Sequence, residues 1–474
     1  AIRFGTDGWR GVIADDFTFA NLSICAQGTA NYLKETGQSS RGVIIGYDTR
    51  FGSESFANTA ARIFVANGIP TLLCDRVAST PAISYNLVSH DAAAGCVITA
   101  SHNPPEWNGF KYKPDYGGSA SSDIIAELEK QISKVSVIHE NSKLPLDHAL
   151  SSGLLEYFNP VPLYLSHIAS QIDIKAIRDS GLNIIVDSMF GSGAGYFKGL
   201  LEGGSTTIVE IHDQKNPSFP GMIQPEPIEP NLRNLITKVT DNQANIGLAT
   251  DGDGDRLGVI DNNGNFVSTI EVFALLCFHQ LEILGRTGPL VKSLTMTSMI
   301  DRLGEEYNVP VFTTPVGFKY LGPTMIRENA LAAGEESGGY AFRGSIPERD
   351  GILSGMLILE LMVKTGKSLS ELIDSLRVKT GPYYFNRCDL SFEPGARESI
   401  SERVQISNPT SLAGRPVTNI DNSDGLKFLL DDGYWLLIRF SGTEPLLRIY
   451  AEGASPTEAL ELLKAGKHIS GLLN

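Results

Sequence analysis

Long apolar runs are missing from this 474-residue chain. The longest, such as ALLCF at 274–278, fall far short of the roughly 20 residues a helix needs to cross a bilayer, so no membrane partner is expected. Cysteine is scarce: there are five, an odd number, scattered and without a C-x-x-C pair. That excludes a disulfide framework and a zinc ribbon, and it points to reduced thiols in a cytoplasm. The opening AIRFGTDGWRG has no basic and apolar leader, which favours the same cytoplasmic expectation. Positive charge is also short. The 39 Lys and Arg are outnumbered by 54 Asp and Glu, a net charge of −15, so a general nucleic-acid binder is disfavoured. An anionic small substrate would need its cations gathered locally. Two motif classes are absent as well. No G-x-S-x-G elbow is present. In MFGSGAGYF (189–197) the third fingerprint position falls on Tyr196, so a dinucleotide site is weakly supported.

What is present has the composition of a globular protein, 42% hydrophobic and 20% charged, with a length that implies three or four domains. Three segments, 42–74, 182–211 and 289–314, share an order of apolar strand, polar or glycine turn, helix-like stretch and short strand. Strands alternating with helices indicate parallel α/β sheets, and the wide spacing suggests three related domains rather than a solenoid. Polar or Pro-rich joins, 133–152 and 216–231, separate the units. The tail differs: 434–453 reads as two antiparallel strands around a tight loop, followed by a helix, an α+β pattern. The expected boundaries are 1–150, 151–265, 266–378 and 379–474.

Four loops carry chemistry. In ITASHNPPEWNGFKYK (98–113), Ser101 follows a buried strand, and Pro104-Pro105 stiffen the loop behind it. His102 is adjacent and Lys111 lies just downstream, so Ser101 is a candidate nucleophile or phosphate carrier. Asp251, Asp253 and Asp255 alternate with glycines in DGDGDR, with Arg256 next. Two carboxylates about 4 Å apart repel by roughly 4 kcal/mol at an effective dielectric near 20. A divalent cation relieves that, and all-oxygen ligands suit Mg²⁺. An EF-hand is excluded, because Arg256 and Asn262 stand where its Gly and Glu belong. In GEESGG (334–339), Glu335 and Ser337 suit sugar hydroxyls, although a polar turn accounts for them equally well. In RFSGTEPLLR (439–448), Arg439, Ser441, Gly442, Thr443 and Arg448 make a cradle for a dianion. Arg10, in GTDGWRG, and Lys319, beside Gly317 in TPVGFKY, are further candidate cations.

Taken together and in this order, the four loops resemble those of the α-D-phosphohexomutase family of phosphoglucomutases and phosphomannomutases, with TASHNPP and DGDGDR the specific elements. The resemblance spans nearly the whole chain. It implies three related mixed α/β/α domains plus a C-terminal α+β domain like the TATA-binding protein, arranged around a central cleft. It implies a phosphoserine at Ser101 and Mg²⁺ on Asp251, Asp253 and Asp255, completed by a phosphate oxygen on Ser101. It further implies sugar reading by Glu335 and Ser337, and a phosphate grip by Arg439, Ser441, Gly442, Thr443 and Arg448. Arg10, His102, Lys111, Arg256 and Lys319 become basic cleft residues, with Lys111 or His102 the proton carrier, Lys111 preferred and its pKa lowered by Arg10. The implied reaction interconverts glucose 1-phosphate and glucose 6-phosphate, with glucose 1,6-bisphosphate as intermediate and activator. GEESGG resembles the phosphoglucomutase form of the sugar loop. A phosphomannomutase or dual-specificity enzyme is the alternative, and a metal-dependent sugar phosphatase a lesser one. A silent sugar-phosphate binder and a dinucleotide oxidoreductase rank lower still. Monomer and dimer both stay open.

Overall fold

The computed structural model describes residues 2–5, 7–136, 138, 146–441 and 445–472. Four sheets follow one another along the chain, and the first three repeat one plan. In the first, Val43–Tyr47 lies between Thr71–Cys74 and Ala94–Ile98, all parallel, and Trp107–Pro114 then returns antiparallel to Ala94–Ile98. Trp9–Val12 pairs with the outer side of Trp107–Pro114, which sets Arg10 opposite Gly109. Both central strands are buried along their whole length. That is why VIIGY and AGCVI read as unbroken apolar runs: helices cover both faces of a parallel sheet.

In the second sheet Asn183–Asp187 is parallel to Thr207–Ile211 and Ile246–Thr250, and Leu257–Ile260 folds back antiparallel on Ile246–Thr250. In the third, Leu290–Ser293 is parallel to Val311–Thr314 and Ala332–Glu335, and Gly339–Phe342 folds back on Ala332–Glu335. The chemical loops occupy equivalent places. Ser101, the Asp251–Asp255 run and the Glu335–Gly339 turn each join the last parallel strand of a sheet to its antiparallel return. The three expected strand–helix–strand segments are therefore present, with the reactive loop in the hairpin that follows each of them.

The fourth sheet is antiparallel and runs Tyr384–Ser391, Leu446–Gly453, Trp435–Phe440, Leu426–Leu430, Arg415–Asp421 and Ser411–Leu412, with the helix Pro456–Ser470 packed against it. The expected α+β tail and its two strands around residues 441–445 are as read from the sequence. One element crosses an expected boundary: Leu155–Phe158 lies past residue 150 yet pairs parallel with Thr71–Cys74 at the edge of the first sheet. Only pairing with a strand far back in the chain places it, and no local pattern reveals that. The first unit has its own apolar core, whereas a second buried cluster takes in Ala82 of that unit and runs on through the other three as far as Leu463. Among the described residues no helix is long and apolar enough to cross a membrane.

Candidate active site

Ser101 is fully buried and adopts φ +51°, left-handed backbone that a non-glycine residue holds only when its surroundings impose it. The imposing groups lie below the loop. Thr99 Oγ1 accepts from the Ser101 N–H at 2.8 Å and donates to Asp48 at 2.6 Å. The Arg50 guanidinium donates to the carbonyls of Ser101 (2.7 Å), Asn103, Pro104 (2.8 Å) and Trp107 (3.0 Å). Prolines 104 and 105 have no N–H, so the loop is short of donors of its own, and a buried cation adds them.

Held this way, Ser101 Oγ donates to Asp251 Oδ2 at 2.8 Å and lies 3.3 Å from His102 Nδ1. The first and second units meet so closely here that a Cβ on residue 252 would lie 2.3 Å from the Ser101 carbonyl oxygen. Only glycine allows that approach.

Asp251, Asp253 and Asp255 are completely buried, with one oxygen of each inside a 4.8 Å group. Four of their six oxygens are engaged. Asp251 Oδ1 accepts from the N–H groups of Asp255 and Arg256 at 3.0 and 3.1 Å. Asp253 Oδ2 accepts from Thr80 Oγ1 at 2.6 Å and Lys111 Nζ at 2.7 Å, and Asp255 Oδ2 from Lys111 Nζ at 3.0 Å. Among the described residues, Asp253 Oδ1 and Asp255 Oδ1 are buried without a hydrogen-bond partner. Buried carboxylate oxygens left this way are what a hard divalent cation takes, so the residues fit Mg²⁺. Burial, with Asp255 and Asp253 alongside, pushes the Asp251 carboxyl well above the ordinary range. For Asp253 burial acts upward too, but Lys111, Thr80 and Arg349 together outweigh it and hold the group low.

Lys111 departs from expectation. It stands on Trp107–Pro114, fully buried, with Asp253, Asp255 and Asp7 within 3.0 Å of its ammonium. Burial lowers its pKa, but the three carboxylates prevail and the net shift is upward; the neighbouring cation acting against them is Arg349, not Arg10. Lys111 is therefore a fixed ammonium rather than a lysine poised to accept a proton. His102 shifts the other way: burial first, then Arg256, Arg10, Lys111 and Arg349, hold its imidazole well below the usual value and so neutral.

The other candidates have partners of their own. Arg10 donates to Asn103 Oδ1, and Arg256 pairs with Glu226 at 3.3 Å. Glu335 Oε1 accepts from Ser337 Oγ at 2.8 Å and lies 3.6 Å from Arg349 Nη1. Gly317, at φ +121°, opens the helix Phe318–Glu328, where Lys319 Nζ sits 5.1 Å over the Tyr320 ring, apart from the carboxylate network. In the tail, Arg439 Nε is 2.9 Å from Asp424 Oδ1, while Asp424 Oδ2 accepts from the Val316 N–H at 3.0 Å, so Asp424 links Arg439 to the segment holding Gly317. Arg448 Nε lies 3.7 Å from Asp389, and Ser441 is buried with its N–H donating to Leu446. Gly442 and Thr443 lie outside the described residues.

Sequence reasoning missed Asp7, Arg50, Thr80, Glu226 and Arg349. Asp7 was in view, inside GTDGWRG beside Arg10. It receives Lys111, Lys113 and Arg349, which overcome burial and hold it well below the carboxylate range. The rest are single polar residues on other elements, with no local spacing to mark them.

Similarity to known proteins covers the same four units. Models of the phosphoglucomutase/phosphomannomutase family match in order: alpha/beta/alpha domain I over residues 1–138, domain II over 162–264, domain III over 271–379 and the C-terminal domain over 402–466. A phosphoglucomutase/phosphomannomutase of Thermococcus kodakarensis is 32% identical over 469 residues, 98% of this chain and 97% of its own. A phosphoglucosamine mutase of Limosilactobacillus reuteri is 29% identical over 468 residues, 96% and 94% of the two chains. A solved structure from Thermus thermophilus, named for phosphomannomutase, has a TM-score of 0.85 at 31% identity over 99% of both chains.

Proposed function

Because the chain belongs to the phosphoglucomutase/phosphomannomutase family, we propose that it interconverts α-D-glucose 1-phosphate and glucose 6-phosphate through phosphorylated Ser101 and a bound glucose 1,6-bisphosphate. The observation that carries the reading is Ser101 Oγ set 2.8 Å from Asp251 inside the aspartate triad, with Lys111 and Arg349 close by. In the first half-reaction the free sugar hydroxyl, O6 or O1, attacks the phosphoryl group on Ser101, and the second is the reverse transfer, from the other sugar oxygen back to Ser101 Oγ with the proton returned to the sugar oxygen. In the first, the new O–P bond forms as the Ser101 Oγ–P bond breaks, and the hydroxyl proton passes to a base. We assign that base to His102, neutral and beside Ser101, and give Lys111 the task of holding Asp253 and Asp255 with its positive charge. Mg²⁺ held by Asp251, Asp253, Asp255 and the group on Ser101 would neutralise charge on the transferring phosphoryl oxygens. The bisphosphate then turns end for end, and its other phosphate returns to Ser101.

Glu335 and Ser337 would read the ring hydroxyls in both orientations, while Arg439, Ser441, Gly442, Thr443 and Arg448 hold the idle phosphate, with Arg10, Arg256 and Lys319 as further cations. The case for glucose is the resemblance of GEESGG (334–339) to the phosphoglucomutase form of the sugar loop. Mannose phosphates are the second reading, since relatives carry that name and others the glucosamine name.

A coupled assay with Mg²⁺ and catalytic bisphosphate, comparing glucose, mannose and glucosamine 1-phosphates, tests this. Glucose 1-phosphate is expected to turn over fastest, and Ser101→Ala to abolish exchange with the fold intact. Release of inorganic phosphate without isomer exchange would establish a phosphatase instead. Near wild-type turnover by Ser101→Ala would end the phosphoserine role.

A further inference from the structure

Phe219, in the Pro-rich join 216–231, is completely buried between exposed Ser218 and Pro220, and among the described residues it belongs to none of the apolar clusters. Its backbone stands at φ +44°, left-handed geometry that a bulky residue keeps only when its surroundings impose it. What the ring reaches is a cation of the first unit: the Arg50 guanidinium lies 5.2 Å from its centroid. The edge of that guanidinium is already committed, to the carbonyls of Ser101, Asn103, Pro104 and Trp107 and to Asp48, 3.3 Å from Nε. A planar cation with its edge donors taken has only its faces left, and an aromatic ring suits a face. Further along, the same join reaches the aspartate loop. Pro225 O accepts from the Gly252 N–H at 3.1 Å, and Glu226 pairs with Arg256 at 3.3 Å. One strap of chain therefore meets both the brace of the Ser101 loop and the loop that carries Asp251.

We infer that Phe219 is a positioning residue for Ser101: its ring keeps water off the Arg50 guanidinium, so that Arg50 holds the Ser101 loop in the geometry that sets Oγ beside Asp251. This rests on the reading of Ser101 as the phosphoryl carrier, and it gives the Pro-rich join a part in the chemistry. Water at the guanidinium would offer it acceptors in place of the loop carbonyls, and would offer those carbonyls donors in place of Arg50. Ser101 would then be free to relax from φ +51°. Leucine at 219 keeps an apolar side chain on the same backbone but has no aromatic face.

The test is amide hydrogen exchange on the full-length protein and its Phe219→Leu variant. The N–H groups of Ser101, Asn103 and Trp107, bonded to Thr99 Oγ1, Ala100 O and Pro104 O, report the loop; those of Ile246–Thr250 report the unit that carries Phe219. Loop exchange is expected to quicken by about tenfold or more, with Ile246–Thr250 within about twofold of wild type. In an Arg50→Met background the same substitution is expected to change loop exchange by no more than about twofold, because its route is gone. Phe219→Met decides the matter if the leucine variant does not fold, and the single substitution decides it if Arg50→Met does not. Loop exchange within about twofold of wild type in the folded variant would overturn the inference. Equal quickening in both places, or a full further effect without Arg50, would do the same and leave Phe219 a packing role. In mutase assays the variant's kcat is expected to fall at least about tenfold with KM within about twofold, and a loosened loop with unchanged kcat would overturn the positioning role. Wild-type protein that exchanges no isomers, while the variant loosens the loop, would overturn the mutase reading alone.

Discussion

Gly252→Ala adds one methyl group at the closest approach between the first two units. The new Cβ would lie 2.3 Å from the Ser101 carbonyl oxygen, where real Cβ atoms essentially never come within 3.0 Å, so the backbones must part by at least 0.7 Å. Little can move on the far side. A Cβ at Gly191 would lie 2.8 Å from the Asp251 carbonyl, and one at Gly351 would lie 2.3 Å from that of Arg256, so both backbones already press on the aspartate loop. The N–H of Gly252 donates to Pro225 O at 3.1 Å, and that of Gly351 donates to Gly254 O at 3.2 Å. Arg50 holds the Ser101 loop from the other side. The separation therefore opens the 2.8 Å contact between Ser101 Oγ and Asp251 to about 3.5 Å, past useful hydrogen-bond length. Overpacking of this kind costs about 1–3 kcal/mol of stability. Misplacing reacting groups by about 1 Å costs on the order of a hundredfold in rate. Saturating mutase assays beside urea unfolding give both quantities. A kcat within about threefold of wild type, far inside that hundredfold, with unchanged stability would refute the reasoning.

Arg50→Met leaves Asp48 without its ion-pair partner and takes the guanidinium donor from four loop carbonyls, so urea unfolding should show a loss of about 3–5 kcal/mol; less than about 1 kcal/mol would contradict the role given to Arg50. Mg²⁺ should raise the melting temperature and chelation reverse it, since a ligand at a hundred times its Kd adds about 2.7 kcal/mol; melting indifferent to Mg²⁺ would remove the metal from the triad. The hydrogen bond to Asp187, opposed by partial burial and aided by the charges of Asp187 and Asp213, raises the pKa of His212 above its ordinary 6.5. A base raised in the folded state contributes stability that is full below its unfolded pKa and fades as pH rises through the folded value. His212→Gln should therefore flatten the pH dependence of stability just above pH 6.5, and an unaltered profile there would exclude the pair as its source.

Loop by loop, much of the site is legible in the chain because its pieces are local. Asp251, Asp253 and Asp255 lie within five residues, and a hairpin between two buried strands suffices to crowd them. The Ser101 loop is equally readable, since Pro104 and Pro105 stop the strand by their own geometry. Lys111 shows where such reading ends. Its position was visible, but its charge state was not, because the carboxylates that set it come from residues 7, 253 and 255.

Covalent spacing determined the strands, their hairpin turns and the identity of the reactive groups, since those depend on neighbours a few residues away. Tertiary packing alone decided that Arg50 would brace Ser101, that Leu155–Phe158 would join the first sheet and that Arg349 would bridge three units. Burial and Coulomb attraction act between groups close in space however far apart they are in sequence, and these partners stand as much as 342 residues apart.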